Sequence, residues 1–141
     1  MARLITNALD LGIGEYTEVA TLLAGSAITL GQNVMLDTSQ TGEDMQRYVV
    51  PDTGTPLFVG VALEAQATVG DPVRVAVAGL VTTAVGDGSV AAGQAITPHT
   101  GSVFDTYAAA DVTPIVGVAL VDDAPTLVCS LNGYGKGLLG L

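Results

Sequence analysis

Leu57-Phe58-Val59-Gly60-Val61-Ala62-Leu63 carries no polar side chain over seven positions. Such a run, rich in β-branched and aromatic residues and bounded by the turn signal Asp52-Thr53-Gly54, reads as a strand buried on both faces or running through the middle of a barrel. Gly60 removes the side chain at one point, where another strand or a bend has to come close. The run has a second copy. Pro56-Leu57-Phe58-Val59-Gly60-Val61-Ala62-Leu63 is matched by Pro114-Ile115-Val116-Gly117-Val118-Ala119-Leu120, and each copy opens on a proline, whose missing N–H costs nothing at a strand entry.

The match extends to both sides in the same order. Leu30-Gly31-Gln32 pairs with Ala92-Gly93-Gln94, and Pro72-Val73-Arg74-Val75-Ala76-Val77-Ala78-Gly79 pairs with Pro125-Thr126-Leu127-Val128-Cys129-Ser130-Leu131-Asn132-Gly133. Three ordered matches define an internal repeat. The fold class predicted is all-β: a small barrel or tulip-like domain built from two homologous half-motifs, about 19–80 and 81–133. Closing the two on each other removes the edges that such apolar strands would expose. In a chain of 141 residues the halves are expected to form one domain over 15–133 and to share a core.

Working outward, strands are expected over residues 17–23, 27–30, 33–37 and 46–50, with Gly31-Gln32 as the two-residue turn of a type II′ hairpin. Residues 38–45 read as a polar loop. Residues 73–78 alternate, which places Arg74 on the face opposite Val73, Val75 and Val77. Helix is poorly supported. Its best candidate, Tyr107-Ala108-Ala109-Ala110-Asp111, lies too close to Pro114 for more than a turn. Residues 1–14 show no clean period and read as an extended N-terminal arm, and residues 134–141 as a C-terminal tail.

Composition narrows the function classes. Hydrophobic residues make up 49% of the chain but aromatics only 4%, which favours closely packed thin sheets over a bulky ligand pocket. Charged residues are 13%, a bland surface of the kind that becomes covered in an assembly. The formal charge of −10 argues against nucleic acid, whose phosphates need cationic contacts, and against anionic membranes. Asp10 and Glu15 interrupt the N-terminal apolar residues too early for a secretory leader. No stretch approaches the ~20 apolar residues of a membrane-spanning helix. Synthesis in a cytoplasm is expected, with departure only as part of a particle.

No catalytic, cofactor or metal site is read from the residues. Gly135-Lys136-Gly137-Leu138-Leu139-Gly140 fits G-x-G-x-x-G, but only Leu141 follows, so no helix is expected to supply the dipole that holds a pyrophosphate. Instead the segment reads as a flexible or docking tail. His99, the one histidine, reads as a turn residue, Cys129 as a buried or half-buried strand thiol, and Glu43-Asp44 and Asp122-Asp123 as solvated turn acids rather than Ca²⁺ ligands. Tyr16, Tyr48, Tyr107 and Tyr134 are candidate interface anchors, with Tyr48 and Tyr107 equally suited to the edge of the core. Nothing resembling a nucleophile elbow surrounds a serine.

At Phe58 to Leu63, Gly70-Asp71-Pro72-Val73-Arg74-Val75, Ala78-Gly79-Leu80-Val81, Gly93-Gln94-Ala95-Ile96 and Ile115 to Leu120, the chain resembles the phage capsid decoration, or cement, proteins. The resemblance spans roughly residues 20–133. It departs where the second copy reads Asp122-Asp123-Ala124-Pro125 in place of Gly-Asp-Pro, and where residues 134–141 run past the repeat. It implies a small β-barrel protein without enzymatic activity, on the outer surface of an icosahedral head, clamping neighbouring major capsid protein subunits, commonly as a homotrimer. On that reading the expected contact residues are Arg3, Leu4, Ile5, Leu9, Leu11 and Ile13 of the arm, with Tyr16, Tyr134, Leu138 and Leu139. An adhesive or carbohydrate-binding module of a head or tail fibre is the alternative, and it would call for aromatics clustered on one surface.

Overall fold

A computed structural model describes residues 17–123 and 126–141. Residues 1–16 lie outside the described residues, and with them the arm, Arg3, Leu4, Ile5, Leu9, Leu11, Ile13 and Tyr16. The described chain is all-β, as its sequence predicts. Its strands are β1 (Glu18–Ala24), β2 (Asn33–Leu36), β3 (Tyr48–Pro51), β4 (Phe58–Ala62), β5 (Pro72–Val85), β6 (Ala95–His99), β7 (Val103–Thr106), β8 (Gly117–Ala119) and β9 (Thr126–Leu131). One short helix, α1 (Tyr134–Leu138), follows.

The first half closes into a five-stranded barrel, β1-β3-β2-β4-β5, with β1 returning to pair with β5. β5 then runs on, and β9, β8, β6 and β7 extend from its second half. A single parallel bridge between Gly86 and Phe104 brings β7 back to the end of β5. The two rings have the same strand order. β2, β3, β4 and residues 72–78 of β5 correspond to β6, β7, β8 and β9, and β1 corresponds to residues 79–85 of β5. One 14-residue strand therefore ends the first ring and begins the second.

Hydrogen bonds fix the equivalence residue by residue. The Gly31 N–H donates to the Ala62 carbonyl and the Gly93 N–H to that of Ala119, at 2.9 and 2.8 Å. The Leu63 N–H donates to Arg74 and that of Leu120 to Val128, at 2.9 and 2.8 Å. Phe58-Val59-Gly60-Val61-Ala62-Leu63 thus superposes in role on Ile115-Val116-Gly117-Val118-Ala119-Leu120. The two central glycines have one cause: a Cβ at Gly60 would meet the Ala76 carbonyl oxygen, and one at Gly117 that of Ser130.

All five residues of β4 are buried, as the apolar run predicts. Val59 and Ala62 face the interior of the first barrel with Val34, Val49, Val73, Val75 and Val77. Phe58 and Val61 point the other way, into a second cluster with Val81, Ile96, Phe104, Val116, Ala119, Leu127 and Cys129. Among the described residues there are two clusters of buried side chains, and the second draws Phe58, Val61 and Ala76 from the first half. Burying both faces of so short a strand is how a domain this small finds enough apolar surface to cover.

The structure departs from the sequence reading in four places. Residues 27–30 are not a strand: only Ile28 makes an isolated bridge, to Gln66. The expected type II′ hairpin is instead a turn one residue earlier, with the Gln32 N–H donating to the Thr29 carbonyl and Gly31 left-handed in third position. Part of the polar loop and the start of the expected strand at 46 form a 3₁₀ turn, Gly42–Gln46. Finally, residues 134–141 are packed down. Gly135 lies buried against the Val59 carbonyl, Leu138 and Leu139 cover the first core, and the Tyr134 hydroxyl donates to the Pro56 carbonyl at 2.5 Å. Lys136 Nζ meets Glu18 Oε2 at 2.6 Å. At Tyr107–Asp111 the chain makes a turn, as proline nearby predicts, with the Asp111 N–H donating to the Ala108 carbonyl at 2.9 Å.

Candidate functional site

Two surface features of the second ring stand out. The first is polar. The turn after β5 carries Asp87, the end of β6 carries His99 and β7 carries Asp105, and one ligand-type atom from each lies within 4.8 Å of the other two. His99 Nδ1 is 3.8 Å from Asp105 Oδ2. One oxygen of each carboxylate is held locally: Asp87 Oδ1 accepts from the Ser89 N–H and hydroxyl at 2.9 and 2.7 Å, and Asp105 Oδ1 accepts from the Thr106 N–H at 2.7 Å.

The two acids are pushed apart in pKa. Partial burial, then the hydrogen bond and charge of Asp87, raise the Asp105 carboxyl above the usual range. Burial works against it, but the Ser89 hydrogen bonds, with those of Asp105 and the charge of His99, hold the Asp87 carboxyl below that range. Two carboxylates and an imidazole are donors for a divalent cation, and with Asp87 and His99 exposed and Asp105 half-buried the rest of its shell is left to water. No serine or cysteine is hydrogen-bonded to His99 among the described residues, so the trio has no nucleophile beside it.

The second feature is apolar. Ile115, Val118, Leu120 and Val121, on and beside β8, are 43%, 40%, 48% and 40% exposed. Their neighbours across the sheet are uncharged: Val118 pairs with Ala95 on β6 and Ser130 on β9.

Elsewhere the sequence candidates take structural roles. Cys129 is fully buried and burial pushes its thiol up to about 12. Asp123 Oδ2 accepts from the Gly88 and Val90 N–H groups and Asp122 Oδ1 from that of Ala92, so this pair ties down the loop before β6 while Asp122 stays exposed, as expected, and Asp123 is half-buried. Glu43 pairs with Arg47 at 3.6 Å on the exposed 3₁₀ turn. Arg74 is exposed, as alternation predicts, and its Nε meets Glu64 Oε2 at 3.0 Å. With Lys136 on Glu18, every described lysine and arginine faces a carboxylate. A hollow lined by Leu63, Arg74, Leu80 and Thr82 contains no acid and base facing each other.

Tyr134, Leu138 and Leu139, expected at an intermolecular contact, are half-buried against their own chain. The Asp87, His99 and Asp105 grouping escapes sequence reading because it is assembled only where β7 returns to the end of β5. The pairing of Thr97 with Asp105 and His99 with Val103 in the β6–β7 hairpin is its one local signal. No family model matches the chain, and comparison with curated proteins finds no match. No helix among the described residues is long and apolar enough to cross a membrane.

Proposed function

We propose that the chain is a structural decoration protein of a phage head, seated on the outer capsid surface, where it stabilises the shell by clamping neighbouring major capsid protein subunits. The observation that carries this reading is the ordered duplication around Val-Gly-Val-Ala-Leu, with Gly70-Asp71-Pro72-Val73-Arg74-Val75, in which the chain resembles the cement proteins. Supporting it are the low charge of the surface, the exposed apolar strip on β8 and the pairing of each described cation. Association of such a surface rests on apolar burial, and many copies each adding a modest free energy reinforce a shell as a set. The homotrimer implied by the resemblance belongs to the same proposal, as does the extended course of Arg3, Leu4, Ile5, Leu9, Leu11 and Ile13 across a capsid subunit.

A carbohydrate-binding module has less to support it. Phe58 and Phe104 are both buried, edge to face at 5.6 Å, and make no platform for a sugar ring. The test is co-sedimentation of the purified chain with heads that lack it, followed by heating or dilution into low ionic strength. Heads that bind the chain at saturable occupancy and then survive better support the proposal. Heads that leave it in the supernatant overturn it.

A further inference from the structure

The internal repeat gives Asp87, His99 and Asp105 counterparts in the first ring. The Asp87 N–H donates to the Phe104 carbonyl as the Gly25 N–H donates to that of Val49, at 2.9 and 2.8 Å, so Asp87 stands where the first ring has Gly25. In the two hairpins Thr97 faces Asp105 as Met35 faces Val50, and His99 follows two residues later, where the first ring has Asp37. The three positions converge in both rings. A Cβ at Gly25 would meet the side chains of Asp37 and Val50, just as Asp87, His99 and Asp105 bring their ligand-type atoms within 4.8 Å of one another.

The first ring makes this corner from a glycine, one acid and a valine, so closing such a ring does not call for two carboxylates and an imidazole. What they do there is crowd negative charge. None of the described lysines and arginines pairs with Asp87 or Asp105, and partial burial together with the nearness of Asp87 raises the Asp105 carboxyl.

We propose that Asp87, His99 and Asp105 form a binding site for a first-row transition dication of the Zn²⁺ type, with water in its remaining positions. The donors choose the class: an imidazole nitrogen beside carboxylate oxygens suits Zn²⁺ better than Ca²⁺ or Mg²⁺, which take oxygen ligands. Each donor is carried by backbone that is already fixed. Asp105 lies within β7, His99 ends β6, and Asp87 is held by its N–H on Phe104 and by Ser89 on its Oδ1. With Asp105 Oδ1 taken by the Thr106 N–H, its Oδ2 is left 3.8 Å from His99 Nδ1. That is too long for a hydrogen bond and near the ~3.3 Å that separates two ligands on a tetrahedral zinc.

Bound there, the ion joins the turn after β5 to both strands of the β6–β7 hairpin. This is the seam at which the second ring closes, and it has one parallel bridge, Gly86 to Phe104, where the first ring has two pairs, Leu23 with Tyr48 and Ala24 with Val49. The cation clamps the ring whose closing ladder is the shorter.

The site does not rest on head binding, and the single histidine makes it readable in the free protein. The full chain, stripped with chelator and titrated with Zn²⁺ towards ~1 mM, is expected to take up one equivalent, with the imidazole C–H proton resonances of His99 moving in step and the thermal midpoint rising. Asp87→Asn and Asp105→Val, the second of which copies the first ring, should each weaken uptake at least ~10-fold while leaving the circular dichroism spectrum unchanged. Ca²⁺ at the same concentrations should leave the His99 resonances in place. No uptake by ~1 mM overturns the inference. So does uptake that leaves the His99 resonances unmoved, because the ion then sits elsewhere, and so does a folded variant that binds like wild type. Ca²⁺ moving His99 as Zn²⁺ does refutes the choice of metal class. The wild-type resonances decide the matter even where a variant fails to fold.

Discussion

Gly79 and Gly133 hold equivalent places in the two rings and share a left-handed backbone, with φ of 84° and 86°. From the first the chain bends and continues as the second part of β5. From the second it coils into α1 and turns back onto the barrel where it began. A side chain is disfavoured at both by backbone conformation. A Cβ at Gly133 would find its nearest neighbour, the Ala78 Cβ, at a comfortable 3.9 Å. Gly133→Ala is therefore expected to lower the unfolding free energy by about 1–2 kcal/mol through φ alone, and Gly79→Ala by at least as much. Urea titrations measure both; unshifted midpoints would refute the assignment.

Phe58 is one of the side chains that join the halves. It is 1% exposed, grows from the first barrel and packs edge-on against Phe104 in the second core. Phe58→Ala should cost about 3–5 kcal/mol, the range for emptying a buried aromatic site, whereas Ile115→Ala at the equivalent exposed position should cost under about 1 kcal/mol in the monomer. Equal losses would mean that the two faces are not in different states.

Asp52 makes stability depend on pH. Its Oδ1 accepts from the Gly54 and Thr55 N–H groups at 2.8 and 3.0 Å, and its carbonyl accepts from the Ser102 hydroxyl at 2.8 Å across the junction of the rings. Burial raises its carboxyl above the ordinary value of 3.8, outweighing the hydrogen bonds from Thr55 and Gly54. The folded state therefore holds this proton more tightly than the unfolded chain. Its contribution is complete below the unfolded pKa and is lost as pH rises through the folded one. Relative to wild type, Asp52→Asn should gain stability between pH 3 and pH 7. A difference independent of pH in denaturant titrations at the two ends would contradict this.

Cys129 offers a probe of the second core. Its thiol, pushed up to about 12 by burial, should leave thiol-specific reagents unreacted at pH 8 and become fully reactive in guanidinium. Rapid labelling of native protein would show the second ring opening far more readily than its packing suggests.

What could be read from the residues was whatever side-chain pattern controls. The apolar run at β4, the exposure of Arg74 and the duplicated order all follow from alternation and repetition, which a strand expresses locally. The fusion of two strands into β5 was not legible, because Gly79 looks like punctuation when it is a bend inside a continuous strand. The helix α1 escaped for a related reason. Three glycines in Gly135-Lys136-Gly137-Leu138-Leu139-Gly140 argue against helix, yet the absence of a Cβ at Gly135 is what lets the turn settle on the Val59 carbonyl. Asp87, His99 and Asp105 meet where β7 bridges back to the end of β5, a long-range event with no counterpart in local spacing.

The strand common to both rings also sets an order of birth. By the time residue 85 has left the ribosome, every strand of the first barrel has been made, and the founding strand of the second is already fastened to it. The later strands are thus added to an anchored template rather than having to find a partner in solution. Residues 134–141 return to the first barrel, so a nascent chain halted before residue 134 would possess all nine described strands and still lack the piece that seals the first of the two cores.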